Sequence, residues 1–188
     1  MRSFIEPIAA IIWKDIVLEL RSKDIVISIL VFSLLVIVIF SIALDPTPQS
    51  VSIVAPGILW IAFIFGGILG LNRSFSLEMD TGSLQGLILT PVSRDTIFFG
   101  KLFSIFFLML IVEVIVLPVF AVIFNFSVLN IGLIPVLLLA TLGIATTGTL
   151  FSAMAINTRA REVMLPVLFL PATLPVIIAA VEATGMVL

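Results

Sequence analysis

From Ile25 to Leu44 the chain runs twenty residues without a single charge, and four further runs share that character. They are Val51 to Leu71, Leu102 to Phe124, Ile131 to Ile156 and Val163 to Val181; only the second of these four carries an interior charge, at Glu113. About 20 mostly apolar residues are what a helix needs to cross a bilayer. In lipid each backbone N–H and C=O must be satisfied within the protein, so a continuous apolar run of this length reads as a helix. A β-barrel would instead show short segments of alternating polarity. Composition agrees: 62% of the 188 residues are hydrophobic and 11% are charged, against about a quarter charged in a soluble domain. The expected fold is an all-α integral membrane protein, a single membrane domain over residues 1–188 with five visible transmembrane helices.

The basic residues orient it. Arg2, Lys14, Arg21 and Lys23 precede the first span, Arg73, Arg94 and Lys101 fall in the second connection, and Arg159 and Arg161 in the fourth. Connections 45–50 and 125–130 contain neither Lys nor Arg, so all nine basic residues lie on one side. Cytoplasmic loops carry the excess of Lys and Arg. The N-terminus is therefore expected in the cytoplasm of a bacterial-type inner membrane, with the first and third connections and Leu188 outside. The first apolar run is longer than the roughly 7–15 residues of a signal-peptide core, so it is read as a retained span.

Two cytoplasmic segments are not spans. Residues 1–24 contain Ile5, Ile8, Ala9, Ile12, Ile16 and Leu20 at three- and four-residue steps, with Lys14, Asp15, Arg21 and Ser22 on another face. This is the pattern of an amphipathic helix in the membrane interface, a depth that suits Trp13. It serves either as a lipid anchor or as a docking element. Residues 72–101 form the longest polar stretch. Glu78 and Asp80 precede Gly82, and then Leu84, Leu87, Ile88 and Leu89 recur before Pro91. A short helix is expected here, ending near Thr90 because the residue before proline avoids the α region. Ser93 is a candidate cap for the helix leading through Phe98 into the third span. Either this stretch is an ordinary solvated loop, or its apolar face is buried on lipid or a partner.

Chemistry is sparse. Cys, His and Tyr are absent, so no disulfide, no Ser-His or Cys-His pair and none of the usual haem-iron ligands except Met can be built. Gly100-Lys101 lacks the upstream glycine and following hydroxyl of a phosphate-binding loop. No basic stripe marks a nucleic-acid surface. No metal or cofactor site is expected on this chain, and no catalytic one. Glu113 is the one mid-membrane acid, a functional-site hypothesis by default. It is read as a protonated group hydrogen-bonded to a helix or subunit neighbour, with a substrate or proton role as the alternative. Gly66, Gly67 and Gly70, and Gly143, Thr147 and Ser152, offer small-residue faces for close helix packing. Pro166, Pro171 and Pro175 invite bends in the fifth span.

Several of these residues carry a resemblance. Glu78-Met79-Asp80-Thr81-Gly82-Ser83-Leu84, followed by Leu87, Pro91 and Arg94, is similar to the acidic-glycine loop of type-2 ATP-binding-cassette permeases. Ala55-Pro56-Gly57-Ile58-Leu59-Trp60 and Leu170-Pro171-Ala172-Thr173-Leu174-Pro175 more specifically resemble the haem exporter protein B family, the permeases of cytochrome c maturation. The resemblance implies a permease that pairs with a separate ATPase chain, so that ATP is used on the partner and haem is the handled species. It further implies a homodimer within the complex, a haem-handling membrane subunit, a small helper protein and a periplasmic haem chaperone. Glu78, Asp80, Gly82, Leu84, Leu87, Pro91 and Arg94 would then form the ATPase-docking loop, and Ala55, Pro56, Gly57 and Trp60 a motif of the second span. Family members have six spans where five fit here, and Glu113 is no family signature.

The resulting expectation is a mechanical subunit that couples ATP hydrolysis by its partner to haem export or to release of the haem-loaded chaperone. The alternatives are a type-2 permease for a lipid, glycan or drug, and a non-transporting scaffold of the maturation complex. In this cysteine-free chain, a single cysteine replacing Thr47 is expected to react with a membrane-impermeant maleimide in intact spheroplasts, and one replacing Ser83 only after permeabilisation. Labelling of residues 76 to 92 from outside would overturn the topology.

Overall fold

The computed structural model describes residues 2–43, 48–125, 132–155 and 161–187. They form seven helices: α1 (Arg2–Ser22), α2 (Asp24–Ala43), α3 (Pro48–Asp80), α4 (Ser83–Ile88), α5 (Arg94–Phe124), α6 (Leu133–Ala155) and α7 (Arg161–Val187). Five of them, α2, α3, α5, α6 and α7, are long and apolar enough to cross a membrane, and no strand occurs among the described residues. The connections 44–47, 126–131 and 156–160, which include Arg159, lie outside the description.

The chain turns from α1 into α2 at one residue. Lys23 takes a left-handed conformation, φ 57°, which a side-chain-bearing residue adopts singly and at some cost. The corner is held by Glu19, whose backbone carbonyl accepts the Lys23 N–H at 2.6 Å while its carboxylate accepts the Val26 N–H at 2.8 Å. A side chain of α1 thus satisfies a first-turn donor of α2 that would otherwise lack a partner.

Both α3 and α5 extend beyond the apolar runs that predict them. The expected spans are 51–71 and 102–124, whereas the helices run Pro48–Asp80 and Arg94–Phe124. No helix breaker stands between Asn72 and Asp80, and Phe75 and Glu78 on this extension are buried. At about 1.5 Å per residue α3 is about 50 Å long, well over a hydrocarbon core of about 30 Å. It ends where Gly82 adopts φ 68°, the left-handed position that favours glycine after a helix. The Gly82 N–H donates to Met79 O at 3.1 Å. The polar stretch 72–101 is therefore mostly helix, with only 81–93 outside the two long elements. Within it α4 ends at Ile88, just short of the expected stop. Ser93 caps α5 as expected, accepting the Thr96 N–H at 3.3 Å. The helix α7 continues past Val181 to Val187 with Pro166, Pro171 and Pro175 inside it.

The centre of the bundle is α3, which packs against each of the other four spans. Trp60 and Phe63 form an edge-on aromatic pair in the core, and Trp60 is wholly buried. Close approach is set by glycines. A Cβ on Gly66 would lie 2.7 Å from Ile29 Cγ2 and 3.0 Å from Ser33 Oγ, and one on Gly70 2.7 Å from Ile29 Cδ1. The helices α2 and α3 therefore meet backbone to side chain along this stripe, as small residues permit in lipid. Gly57 differs, since nothing lies within 4 Å of a Cβ built there.

Gly66→Leu is expected to destabilise the detergent-solubilised protein by about 1–3 kcal/mol through overpacking against Ile29. Gly57→Ala is expected to leave stability unchanged or raise it by up to about 1 kcal/mol, the helix-propensity difference. Thermal unfolding in micelles checks both; equal loss in the two would contradict this packing.

Candidate functional site

Four charged side chains from three helices meet where α3 and α5 leave the apolar core. Lys14 and Asp15 come from α1, Glu78 from α3 and Lys101 from α5. Lys14 Nζ lies 2.8 Å from Glu78 Oε1 and 3.1 Å from Asp15 Oδ1, and Lys101 Nζ lies 2.8 Å from Asp15 Oδ2. Lys101 also donates to Glu78 Oε1. The side chains of Lys101 and Glu78 are 4% and 8% exposed. Two ammonium groups and two carboxylates balance, which is what allows them to be buried at all. Burial works against the Lys14 ammonium, yet its hydrogen bond to Glu78 and the charges of Asp15 and Glu78 outweigh that and hold its pKa above the ordinary lysine value of 10.5. Its folded pKa being raised, Lys14 stabilises the fold fully below the unfolded value, and that contribution fades as pH rises through the folded one.

Gly100 makes the meeting possible. A Cβ there would lie 2.9 Å from both Cβ and Cγ2 of Ile11, a stiff branched side chain. With no Cβ, α1 settles onto α5, and Asp15, one turn beyond Ile11, reaches Lys101. The Gly100-Lys101 pair is thus a packing residue followed by an ion-pair residue. In the sequence it stands out only as a fragment of a phosphate loop. Lys14 and Asp15 fall together on the polar face of α1, but their partners are 64 and 86 residues away along the chain.

The residues expected in a docking loop do not converge. Glu78 is turned inward onto the lysines. Gly82 forms the turn, Leu87 is half-buried, and Pro91 and Arg94 are exposed; the side chains of Asp80 and Leu84 lie outside the description. Leu89, just past α4, is 86% exposed. In the second span Ala55 and Pro56 are buried, and Gly57 is half-buried. Trp60 Nε1 donates to Thr184 Oγ1 at 2.9 Å, tying α3 to the end of α7. Glu113, 2% exposed, accepts a hydrogen bond from Thr141 Oγ1 of α6 at 2.5 Å, while its Oε2 has no partner among the described residues. No group of three or more acidic, His or Cys side chains suited to a metal occurs among the described residues.

The fold and this site define a polytopic helical membrane protein whose polar centre is a charge cluster clasping one end of the bundle. Comparison with known proteins makes the class particular. The family described as CcmB protein matches residues 6–187, and the chain belongs to it. It is similar to heme exporter protein B of Haemophilus influenzae, 30% identical over 181 residues, which cover 94% of this chain and 81% of that protein. Heme exporter protein B of Bradyrhizobium diazoefficiens is 26% identical over 182 residues, 96% of this chain and 82% of the relative. That of Escherichia coli K12 is 34% identical over 73 residues, 39% of this chain and 33% of the relative.

Lys101→Met leaves two buried carboxylates sharing one lysine. It is expected to cost about 3–5 kcal/mol, and a Lys101→Met, Glu78→Met pair to recover much of that. Unfolding in detergent measures both. A double variant no more stable than the single one would contradict a coupled cluster.

Proposed function

We propose that this chain is the permease subunit of an ATP-driven complex in cytochrome c maturation, with ATP hydrolysed on a separate chain. The species handled is haem, either exported or carried away on a periplasmic chaperone whose release the complex drives. Membership of the CcmB protein family supports this, as does the name heme exporter protein B borne by the relatives. The complex is read as holding two copies of this chain beside the ATPase, a haem-handling membrane subunit and a small helper protein.

The observation that carries the mechanism is the buried charge cluster, whose Glu78 lies four residues before the Gly82 turn into α4. A push on α4 acts on the end of α3. There Glu78 is bound to α1 through Lys14 and to α5 through Lys101. Pulling any of the three helices away would strand a charge in a low-dielectric site, at a cost of several kcal/mol. The three ends therefore move together. Because α3 packs against all the other spans, its tilt is felt through the bundle. In this mechanism Glu78 acts as an internal strut rather than as a contact to the ATPase.

Docking falls instead to the exposed rim of α4 and the following turn, with Leu89 as the apolar contact and Pro91 and Arg94 beside it. On this topology the rim faces the cytoplasm. Useful work requires that the ATPase bind two arrangements of the rim with different free energies. The absence of His, Cys and Tyr from the chain favours a mechanical part over ligation of haem iron.

Leu89→Glu is expected to abolish co-purification of the ATPase and to lower c-type cytochrome content, while membrane insertion stays normal. Undiminished co-purification together with normal c-type haem would contradict docking at this rim.

A further inference from the structure

Between the α1–α2 corner and α5 lies a cavity of about 230 Å³, bordered at one end by Asp15 and Glu78 of the cluster, whose interior the coupling mechanism does not use. Ile16, Val26, Leu77, Ile105 and Leu108 form its walls, and Ser22 and Lys23 stand at its rim. Ile27 and Ile111 also line it, and both are exposed on the apolar outside of the bundle. We propose that this cavity is a binding site for a membrane phospholipid, with an acyl chain between the helices and the phosphate at Lys23.

Size, depth and charge support this occupant. A dry apolar cavity of about 150 Å³ accommodates a benzene molecule; this one is larger and open at the side. Water is a poor tenant, because it needs two to four polar partners and most of the wall surface is apolar, with Asp15, Glu19, Ser74, Glu78 and Ser104 contributing only a small part of it. From Ile105 to Ile111 the α5 wall rises about 9 Å at about 1.5 Å per residue, ending two residues before Glu113. The cavity thus runs inward from the level of the charge cluster, along the direction that a lipid tail takes. Ile27 and Ile111 leave a lateral entrance toward hydrocarbon.

The charges at the rim select the head. Asp15 and Glu78 are matched by Lys14 and Lys101, and Glu19, the remaining carboxylate of the lining, has no ion-pair partner among the described residues and is turned to the Val26 N–H. Lys23 is exposed, and among the described residues it has no ion-pair partner. An ammonium at the membrane boundary beside the Ser22 hydroxyl suits a phosphodiester, as interfacial lysines do when they reach for the headgroup region. The left-handed corner places Lys23 between α1 and α2, on the lining of the cavity.

The test uses the full chain in proteoliposomes containing phosphatidylcholine with a diazirine on one acyl chain. After photolysis, mass spectrometry is expected to find residues 16–27 and 104–111 labelled about fivefold more than the outer faces at Val122 and Ile178, the ratio that about 1 kcal/mol of site preference gives. Leu108→Trp and Ser74→Phe each fill the cavity, from α5 and α3 respectively, and should remove that excess while labelling at Val122 and Ile178 is kept as a report on the folded bundle. Lys23→Glu should lower labelling by the phospholipid but not by a diazirine-bearing alkane of the same length. Even labelling along all lipid-facing surfaces, or an excess that survives both filling variants, would overturn the site. Equal loss of alkane and phospholipid labelling in Lys23→Glu would overturn the phosphate assignment.

Discussion

A lysine ammonium buried at the edge of an apolar bundle must be met by carboxylates, and meeting Lys101 organises three helices. Asp15 reaches it only because Gly100 lets α1 settle onto α5. Glu78 reaches it only because α3 stays helical well beyond its apolar run. Lys14 then supplies the second positive charge that two carboxylates require. None of the four is at home without the others, which is the usual condition of buried polar networks. The cluster adds little net stability over an apolar equivalent. Its effect is to fix which helices share an end.

The rest of the bundle is held by packing. Lipid tails give no hydrophobic drive for one span to choose another, so fit decides. The glycines of α3 against Ile29, and Trp60 against Thr184, show two forms of that fit, close approach and a single buried hydrogen bond. Both centre on α3, the element to which α4 is attached. In the proposed mechanism, force applied at the exposed Leu89 rim enters through this helix, which packs against every other span.

Much of the fold was legible because charge is so rare in the chain: five uncharged or nearly uncharged runs leave little choice in lipid. Ser93 announced a helix start for a local reason and acts there, whereas Gly82, read only as part of a docking loop, turns out to end α3. Helix lengths were less legible. The polar continuation from Asn72 to Asp80 has no breaker, and hydropathy marks the membrane rather than the helix. The site was half visible. Glu78 and Trp60 stood out through the residues around them, but Lys101 and Thr184 are 23 and 124 residues away from them. Pairing at such separations leaves no periodic trace in one sequence. Thr141, the partner of Glu113, escaped for the same reason.

If the cluster binds the three helix ends, α1, α3 and α5 move as one body. Pulsed electron–electron resonance on the assembled complex tests it directly, with spin labels on cysteines replacing Trp13 of α1 and Phe99 of α5, and Val163 of α7 as the reference. Between nucleotide-free and ATP-bound states the Trp13–Phe99 distance should stay constant while the Trp13–Val163 distance changes. A Trp13–Phe99 distance that changes with nucleotide, or a Trp13–Val163 distance that does not, would mean that the cluster does not move these helices as one body.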